Sequence, residues 1–157
     1  MMNAVAASKY DRPFIIETDG YTSTFIYSKT KKESKPFPAK EWFSSITQHF
    51  GSSMEGRIHS FRFLTNSKQK SAILISEISQ CIYFPLKGNT SMKNVWILYH
   101  TVKDFRAFGN KKTLLFFKDD LVYETNVDYR TIKEQMKRCE TYINHLNMNH
   151  HNEGINY

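Results

Sequence analysis

Serine, glutamate and arginine side chains lie close together in residues 50–57, the run Phe-Gly-Ser-Ser-Met-Glu-Gly-Arg. Its two glycines are typical of tight turns. Ser52 and Glu55 have the spacing of a capping box, which predicts a single helical turn starting at Ser52. Free N–H groups at a helix start and the guanidinium of Arg57 both favour a diffuse negative charge, so phosphate is the natural ligand. The same residues also suit a capped connection that binds nothing.

Catalytic patterns are weak elsewhere. Gly51-x-Ser53 resembles a nucleophile elbow, but the second glycine of that motif would fall at residue 55, which is glutamate. The histidines lack metal-ligand spacing, and the chain has no phosphate-binding loop with Lys-Ser or Lys-Thr. A nuclease would have to use His100 and Asp104, or a bound metal. The sequence therefore predicts no enzyme, no metal and no cofactor, and its two cysteines, Cys81 and Cys139, are interpreted as buried free thiols.

The net charge of +7 and the pI near 9.4 indicate a polyanionic partner, and nucleic acid is the commonest. Residues 1–123 hold eighteen basic and ten acidic groups, whereas residues 124–157 hold four and five. We therefore expect the basic surface in the front and middle of the chain. Apolar runs are shorter than the ~18 residues that span a bilayer, and residues 1–10 lack the apolar centre of a secretion signal, so the predicted location is the cytoplasm.

Basic side chains concentrate in the predicted loops and at strand ends, where they would reach phosphates, although each also suits a solvated surface. The candidates are Arg57, Arg62, Lys68, Lys70, Lys87, Lys93, Lys103, Arg106, Lys111 and Lys112. Aromatic residues in predicted strands would stack on bases in a single-stranded nucleic-acid binder, or they would form the core. These are Tyr83, Phe84, Trp96, Tyr99, Phe116 and Phe117.

The chain is predicted to be one domain over residues 10–146, between a flexible arm at 1–9 and a polar, frayed tail at 147–157. A hairpin with a two-residue turn at Asp19-Gly20 comes first, followed by an exposed lysine-rich linker over residues 28–38. A short helix over 39–49 ends at Gly51, and residues 58–65 alternate like a strand.

The middle of the chain predicts an antiparallel meander. Apolar runs at 73–75 and 81–84 suit neighbouring buried strands, and 95–102 suits a longer strand that places His100 among apolar neighbours. Turns at 109–110 and 119–120 bound two further strands. Asp128 would cap a last helix with an apolar stripe, which docks on the sheet or pairs with a second subunit. The predicted fold class is α+β, an antiparallel sheet with a short helix before Gly51 and a longer C-terminal helix packed on it.

The order of these pieces resembles a known family. Residues 50–57, then Ile73-Leu74-Ile75 leading to Phe84-Pro85, then Trp96-Ile97 and Val102, are similar to the competence transcription factor family, ComK, over roughly residues 40–145. The resemblance implies a cytoplasmic bacterial activator of DNA-uptake genes that binds paired A/T-rich boxes of double-stranded DNA, largely through the minor groove. It also implies dimers or higher homo-oligomers, and RNA polymerase becomes a further candidate partner.

Residue roles follow from that resemblance together with the charge pattern. Arg57 and Arg62 become the leading minor-groove candidates, because A-tracts narrow the groove and deepen its negative potential. The Ser52-Ser53 turn and the lysine loops become the phosphate contacts. The predicted DNA-binding residues are Ser52, Ser53, Arg57, Arg62, Lys68, Lys70, Lys103, Arg106, Lys111 and Lys112.

Overall fold

The computed structural model describes residues 12–155, with side chains as far as residue 148. In chain order, its elements are β1 (Ile15–Thr18), β2 (Ser23–Ile26), β3 (Lys32–Lys35), α1 (Ala39–His49), α2 (Met54–Thr65), β4 (Ile73–Ser76), β5 (Cys81–Pro85), β6 (Asn94–Leu98), β7 (Val102–Ala107), β8 (Thr113–Phe117), β9 (Val122–Thr125) and α3 (Tyr129–Ile155). The arm predicted at 1–9 falls outside the described residues. The predicted α+β class is confirmed.

Six strands form one antiparallel sheet in the order β3-β2-β1-β6-β5-β4. Strands β4 and β5 are buried on both faces, and successive side chains point to opposite sides of the sheet. In β4, Ile73 and Ile75 enter one core while Leu74 enters the other. Continuous apolar runs are the expected sequence of such a strand.

One core lies between this sheet and α1. The rings of Trp42 and Phe43 from the helix meet Tyr83 and Trp96 from the sheet at centroid distances of 4.7–5.7 Å. The helix predicted at 39–49 is therefore confirmed, and its apolar stripe covers the sheet.

The opposite core is covered by α3 and by a second sheet, β7-β8-β9. Phe117 stacks on Phe14 at 6.1 Å, and the hydroxyl of Tyr123 donates to the Glu17 carboxylate at 2.6 Å. Burial, together with this hydrogen bond, raises the pKa of Tyr123, which keeps the phenol protonated as a donor. The meander was predicted, but its separation from the first sheet was not.

The single strand predicted over 95–102 is wrong. It is broken by a 3₁₀ turn at Tyr99–Thr101, where the Thr101 hydroxyl donates to the Leu98 carbonyl at 2.6 Å. This turn carries the chain from one sheet to the other. It leaves His100 exposed instead of among apolar neighbours.

Two further local predictions are corrected near the front of the chain. The hairpin loop has four residues, because Thr18 pairs with Ser23 and the Asp19 carboxylate accepts from the N–H groups of Tyr21 and Thr22 at 2.8 and 2.7 Å. The predicted linker contains β3, which pairs with β2. Its sequence, Lys-Glu-Ser-Lys, has no apolar alternation because β3 is an exposed edge strand.

The predicted strand at 58–65 is also wrong, because these residues belong to helix α2. The Ser53 hydroxyl accepts from the Gly56 N–H at 3.0 Å and caps the start of the helix. Asn66, the residue after the last turn, has a left-handed backbone conformation that ends the helix. Phe61 is fully buried against Tyr142 of α3 at 5.2 Å, whereas Phe63 is exposed. A strand would have placed both rings on one face.

Docking of α3 on the sheet is confirmed. Its start is capped as predicted, since the Asp128 carboxylate accepts from the Thr131 N–H at 2.9 Å. Ile132, Cys139 and Tyr142 are buried in the core beneath it. The backbone is helical to Ile155, past residue 147, where the polar tail was predicted to begin.

The two phenylalanines of α2 give the first prediction. Phe61→Ala should lower the free energy of unfolding by about 3–5 kcal/mol, because it leaves a cavity in the core. Phe63→Ala is the matched control and should change it by less than about 0.5 kcal/mol. Urea unfolding followed by circular dichroism measures both values. Equal losses of unfolding free energy in the two variants would contradict the helical structure of α2.

The two thiols give the second prediction. Burial raises the pKa of Cys81 to about 11, against a smaller opposing effect of Arg12, and burial raises the pKa of Cys139 as well. Since the thiolate is the reactive form, labelling of the native protein by a disulfide reagent at pH 8 should be at least about a hundredfold slower than in urea. A thiol that reacts at the unfolded rate in native buffer would contradict this burial.

Candidate nucleic-acid interface

A polar loop between α2 and β4, residues 66–71, carries Lys68 and Lys70 to the protein surface. Asn89 holds the end of this loop. Its side-chain oxygen accepts from the Ser71 N–H at 2.7 Å, and its NH₂ group donates to the Ser71 carbonyl at 2.9 Å. Ser71 itself is fully buried. The loop is therefore fixed at its base while its lysines point outward.

Gln135 of α3 holds the same loop from the other side. Its amide nitrogen donates to the Lys70 carbonyl at 2.8 Å and to the Pro85 carbonyl at 3.0 Å. Its side-chain oxygen accepts from Arg138 at 3.1 Å. Although Gln135 is only 1% exposed, its amide is satisfied. The lysine loop, the end of β5 and α3 are thus held in one arrangement.

Between this loop and α3 lie two adjoining hollows of about 500 and 390 Å³. Their walls carry six basic side chains and one carboxylate, Glu134. The basic residues are Lys68, Lys70, Arg130, Lys133, Lys137 and Arg138. We call this surface the basic groove, and it is the strongest concentration of positive charge among the described hollows.

The members of the basic groove differ in how they are held. Arg138 donates to Glu134 at 2.6 Å and to the Gln69 carbonyl at 3.4 Å, so it braces the loop. Lys133 and Lys137 are exposed and make no ion pair within residues 12–148. Their ammonium groups are therefore available to an anionic partner.

Arg62 continues the positive surface along α2. Its Nε donates to the Ser71 hydroxyl at 2.8 Å, next to Lys70, and the residue is exposed. It also borders a groove of about 530 Å³ with Lys40 and His59. Of the sequence-predicted residues, the structure brings together Arg62, Lys68 and Lys70.

The start of α2 is built differently from the prediction. The helix begins at Met54 with Ser53 as its cap, and Ser52 donates its N–H to the Thr47 carbonyl at 2.8 Å. The capping box expected between Ser52 and Glu55 is absent, because Gly56 occupies the position that meets the cap. Arg57 has a side chain only 13% exposed and donates to Glu77 at 3.3 Å.

Four other predicted residues lie on the second sheet. Lys103 and Arg106 are exposed on β7, and Lys111 and Lys112 are exposed in the loop before β8. The Arg106 guanidinium donates to Asp104 at 2.9 Å and lies 5.1 Å from the centre of the Phe116 ring. These four residues do not line the two hollows beside α3.

Sequence reasoning missed the basic residues of α3, because their segment carries a net negative charge. Their spacing was the available indication. Arg130, Lys133 and Lys137 recur three and four residues apart, which places them on one helical stripe opposite the buried residues. The expectation that the basic surface belongs to the front and middle alone is corrected.

The aromatic platform expected of a single-stranded binder is largely buried. Tyr83, Phe84, Trp96 and Phe117 are all within the two cores, while Tyr99 and Phe116 are half-buried. The interpretation of these strand aromatics as core residues is therefore correct for most of them.

His100 and Asp104, the residues that a nuclease would use, have neighbours that change their pKa values. Although His100 is exposed, neighbouring protein atoms partly desolvate its ring and lower its pKa, and the charge of Lys118 adds to that effect. The hydrogen bond from Arg106 lowers the pKa of Asp104. Within the described part of the chain, no group of three or more His, Cys, Asp and Glu side chains could hold a metal ion. No described helix is long and apolar enough to cross a membrane.

Comparison with known proteins gives one match. The model of the family described as ComK protein matches residues 12–151, nearly the whole chain. No curated protein and no solved structure matches the chain. On the extent of the family match, the chain belongs to the ComK family, a family of competence transcription factors.

Proposed function

We propose that this protein is a DNA-binding activator of competence genes that recognises paired A/T-rich boxes, largely through the minor groove, in the cytoplasm of a bacterial cell. The observation that carries the proposal is the basic groove, in which six cationic side chains surround one carboxylate on a surface fixed by Gln135. Such a surface suits the phosphate backbone of a duplex, which supplies much of the affinity of DNA-binding proteins.

In this proposal the phosphate contacts come from the basic groove. Lys133 and Lys137 are exposed and unpaired within residues 12–148, and Lys68 is exposed on the facing loop. Long cationic side chains on two sides of a hollow can follow a phosphate strand that runs between them. The lysines set the register of the protein on the duplex.

Selective contacts to the minor groove are assigned first to Arg62. Its guanidinium is anchored by Ser71 at one nitrogen, and the exposed remainder can enter a narrow groove with strong negative potential. Arg57 takes second place, because its pairing with Glu77 and its burial leave less of it available. Ser52 and Ser53, with Lys103, Arg106, Lys111 and Lys112, complete the proposal as outer contacts.

Paired boxes call for paired subunits. A dimer, or a higher homo-oligomer, would place one basic groove on each box, since half-site spacing mirrors the symmetry of the protein. Activation further implies contact with RNA polymerase. Both partners belong to the proposal.

Duplex binding at two salt concentrations tests the function. A duplex with paired A/T boxes and a G/C-rich duplex of equal length should both lose affinity between about 50 and 200 mM salt, with a log–log slope near −5 if all six groove cations meet phosphates. The A/T duplex should keep an advantage of at least about tenfold, which is about 1.4 kcal/mol. Equal affinities, abolished together by salt, would reduce the protein to a nonspecific binder.

Two groove lysines test the location of the interface. The double variant Lys133→Gln, Lys137→Gln should bind the A/T duplex with a slope less steep by about 2, because two phosphate contacts are lost. The double variant Lys29→Gln, Lys32→Gln removes the same charge from exposed positions at and near β3 and is the matched control. An equal change of the salt slope in both variants would mean that the basic groove is not the DNA interface.

A further inference from the structure

Phe63 is an exposed aromatic ring on a fixed helix. Its side chain is 84% exposed, although it lies only two residues from the fully buried Phe61. The other exposed residues of α2 are Glu55, Gly56, His59 and Arg62, so Phe63 is the one large apolar side chain among the exposed residues of this helix. A protein-docking surface is normally a contiguous apolar patch with a polar rim. A single ring among polar and cationic residues instead suits stacking on a nucleic-acid base.

The helix holds this ring rigidly. Ser60 hydrogen-bonds Tyr142 at 2.8 Å, and Arg62 donates to Ser71 at 2.8 Å, so both sides of the ring are anchored to other elements. Helix α2 ends at Thr65, and Thr65 lines the basic groove together with the cap residue Asn66. A duplex drawn to the groove cations would therefore approach the end of α2 that carries Phe63.

The narrow minor groove of B-DNA gives a physical reason for inserting an aromatic ring. An α-helix with its side chains is about 10–12 Å across, whereas the minor groove of B-DNA is about 6 Å wide. A helix that reads the minor groove needs the groove opened, and proteins open it by inserting an apolar side chain between base pairs. We propose that Phe63 is such a wedge: it partly unstacks one base step, kinks the duplex toward the major groove and lets Arg62 reach the narrow A/T minor groove next to the opened step.

This inference rests on the proposed DNA binding and adds a source of selectivity to it. Steps such as TA unstack most easily, so a wedge favours A/T-rich sites without any hydrogen bond to a base edge. The cations of the basic groove contribute affinity that depends on salt, whereas the ring deforms the DNA and contributes selectivity for A/T-rich sites. The two contributions are therefore separable by experiment.

Ile78 provides the matched control. It is also an exposed apolar residue, 100% exposed in the turn between β4 and β5, and its chain neighbours are Glu77 and Ser79. Ile78→Ala thus removes exposed apolar surface without touching α2 or the basic groove. Phe63→Trp keeps an aromatic wedge, while Phe63→Ala removes it.

The test uses the full chain and a paired A/T-box duplex with donor and acceptor dyes at its ends and 2-aminopurine at the central TA step. Wild type should shorten the end-to-end distance and raise the 2-aminopurine fluorescence. Phe63→Ala should lose at least half of both changes and about tenfold in affinity for this duplex, with an unchanged salt slope and an unchanged circular dichroism spectrum. Phe63→Trp and Ile78→Ala should behave as wild type.

Two outcomes would overturn the inference, and they are distinguishable. If wild type binds the duplex with A/T preference but Phe63→Ala bends and unstacks it equally, the wedge is wrong and the DNA-binding function stands. If wild type binds neither the paired A/T-box duplex nor the G/C-rich duplex, the proposed DNA-binding function is wrong, and the proposed role of Phe63 is wrong as well.

Discussion

The arrangement of this surface depends on the buried amide of Gln135. Its nitrogen donates to the carbonyls of Lys70 and Pro85, at 2.8 and 3.0 Å, in a position only 1% exposed. Without this donor, the two carbonyls at the edge of the core would each lose a hydrogen bond, and a buried group left unsatisfied costs about 1–3 kcal/mol. Lys70 also has a positive φ of 51°, which an L-residue adopts only when its surroundings hold it. The loop that presents Lys68 and Lys70 therefore follows the position of α3, and the two walls of the basic groove are built as one unit.

Much of the fold could be predicted because its central elements carry strong patterns. Strands β4 and β5 are continuous apolar runs, and Trp42 and Ile46 have helical spacing. These positions are buried, and burial requires apolar residue types that are visible in the sequence. The elements that were predicted wrongly are held by contacts that the pattern of their own side chains does not reveal. The phenylalanines of α2 alternate like a strand, but its helix is fixed by a local serine cap and by Tyr142, which lies 82 positions from Ser60 in the chain. β3 is formed by backbone pairing with β2, and its charged side chains contain no record of that pairing.

The candidate site could be predicted less completely than the fold. Net charge summed over a segment hides how the charges are arranged in space. In α3, Glu134 pairs with Arg138, and the cations Arg130, Lys133 and Lys137 share one exposed stripe. Arg57 shows the opposite case, since its sequence position beside the Gly-Ser-Ser turn indicates an anion contact while the fold pairs it with Glu77. In both cases the fold decides whether a charge is available: Arg138 pairs with Glu134 four residues away on the same helix, and Arg57 pairs with Glu77 twenty residues away.

A rigid surface is what separates selective from nonspecific binding to a polyanion. Mobile lysines neutralise phosphates equally well on any duplex, so they contribute affinity that falls with salt and carries no preference for sequence. Preference requires a group held so firmly that the DNA, and not the protein, must deform to meet it. Helix α2 satisfies this requirement, because Phe61 is packed in the core, Ser60 and Arg62 are hydrogen-bonded to neighbouring elements, and Phe63 projects from the same two turns. The core of this protein and its sequence preference would then depend on the same short helix, so a change that loosens Phe61 should weaken selectivity before it weakens affinity.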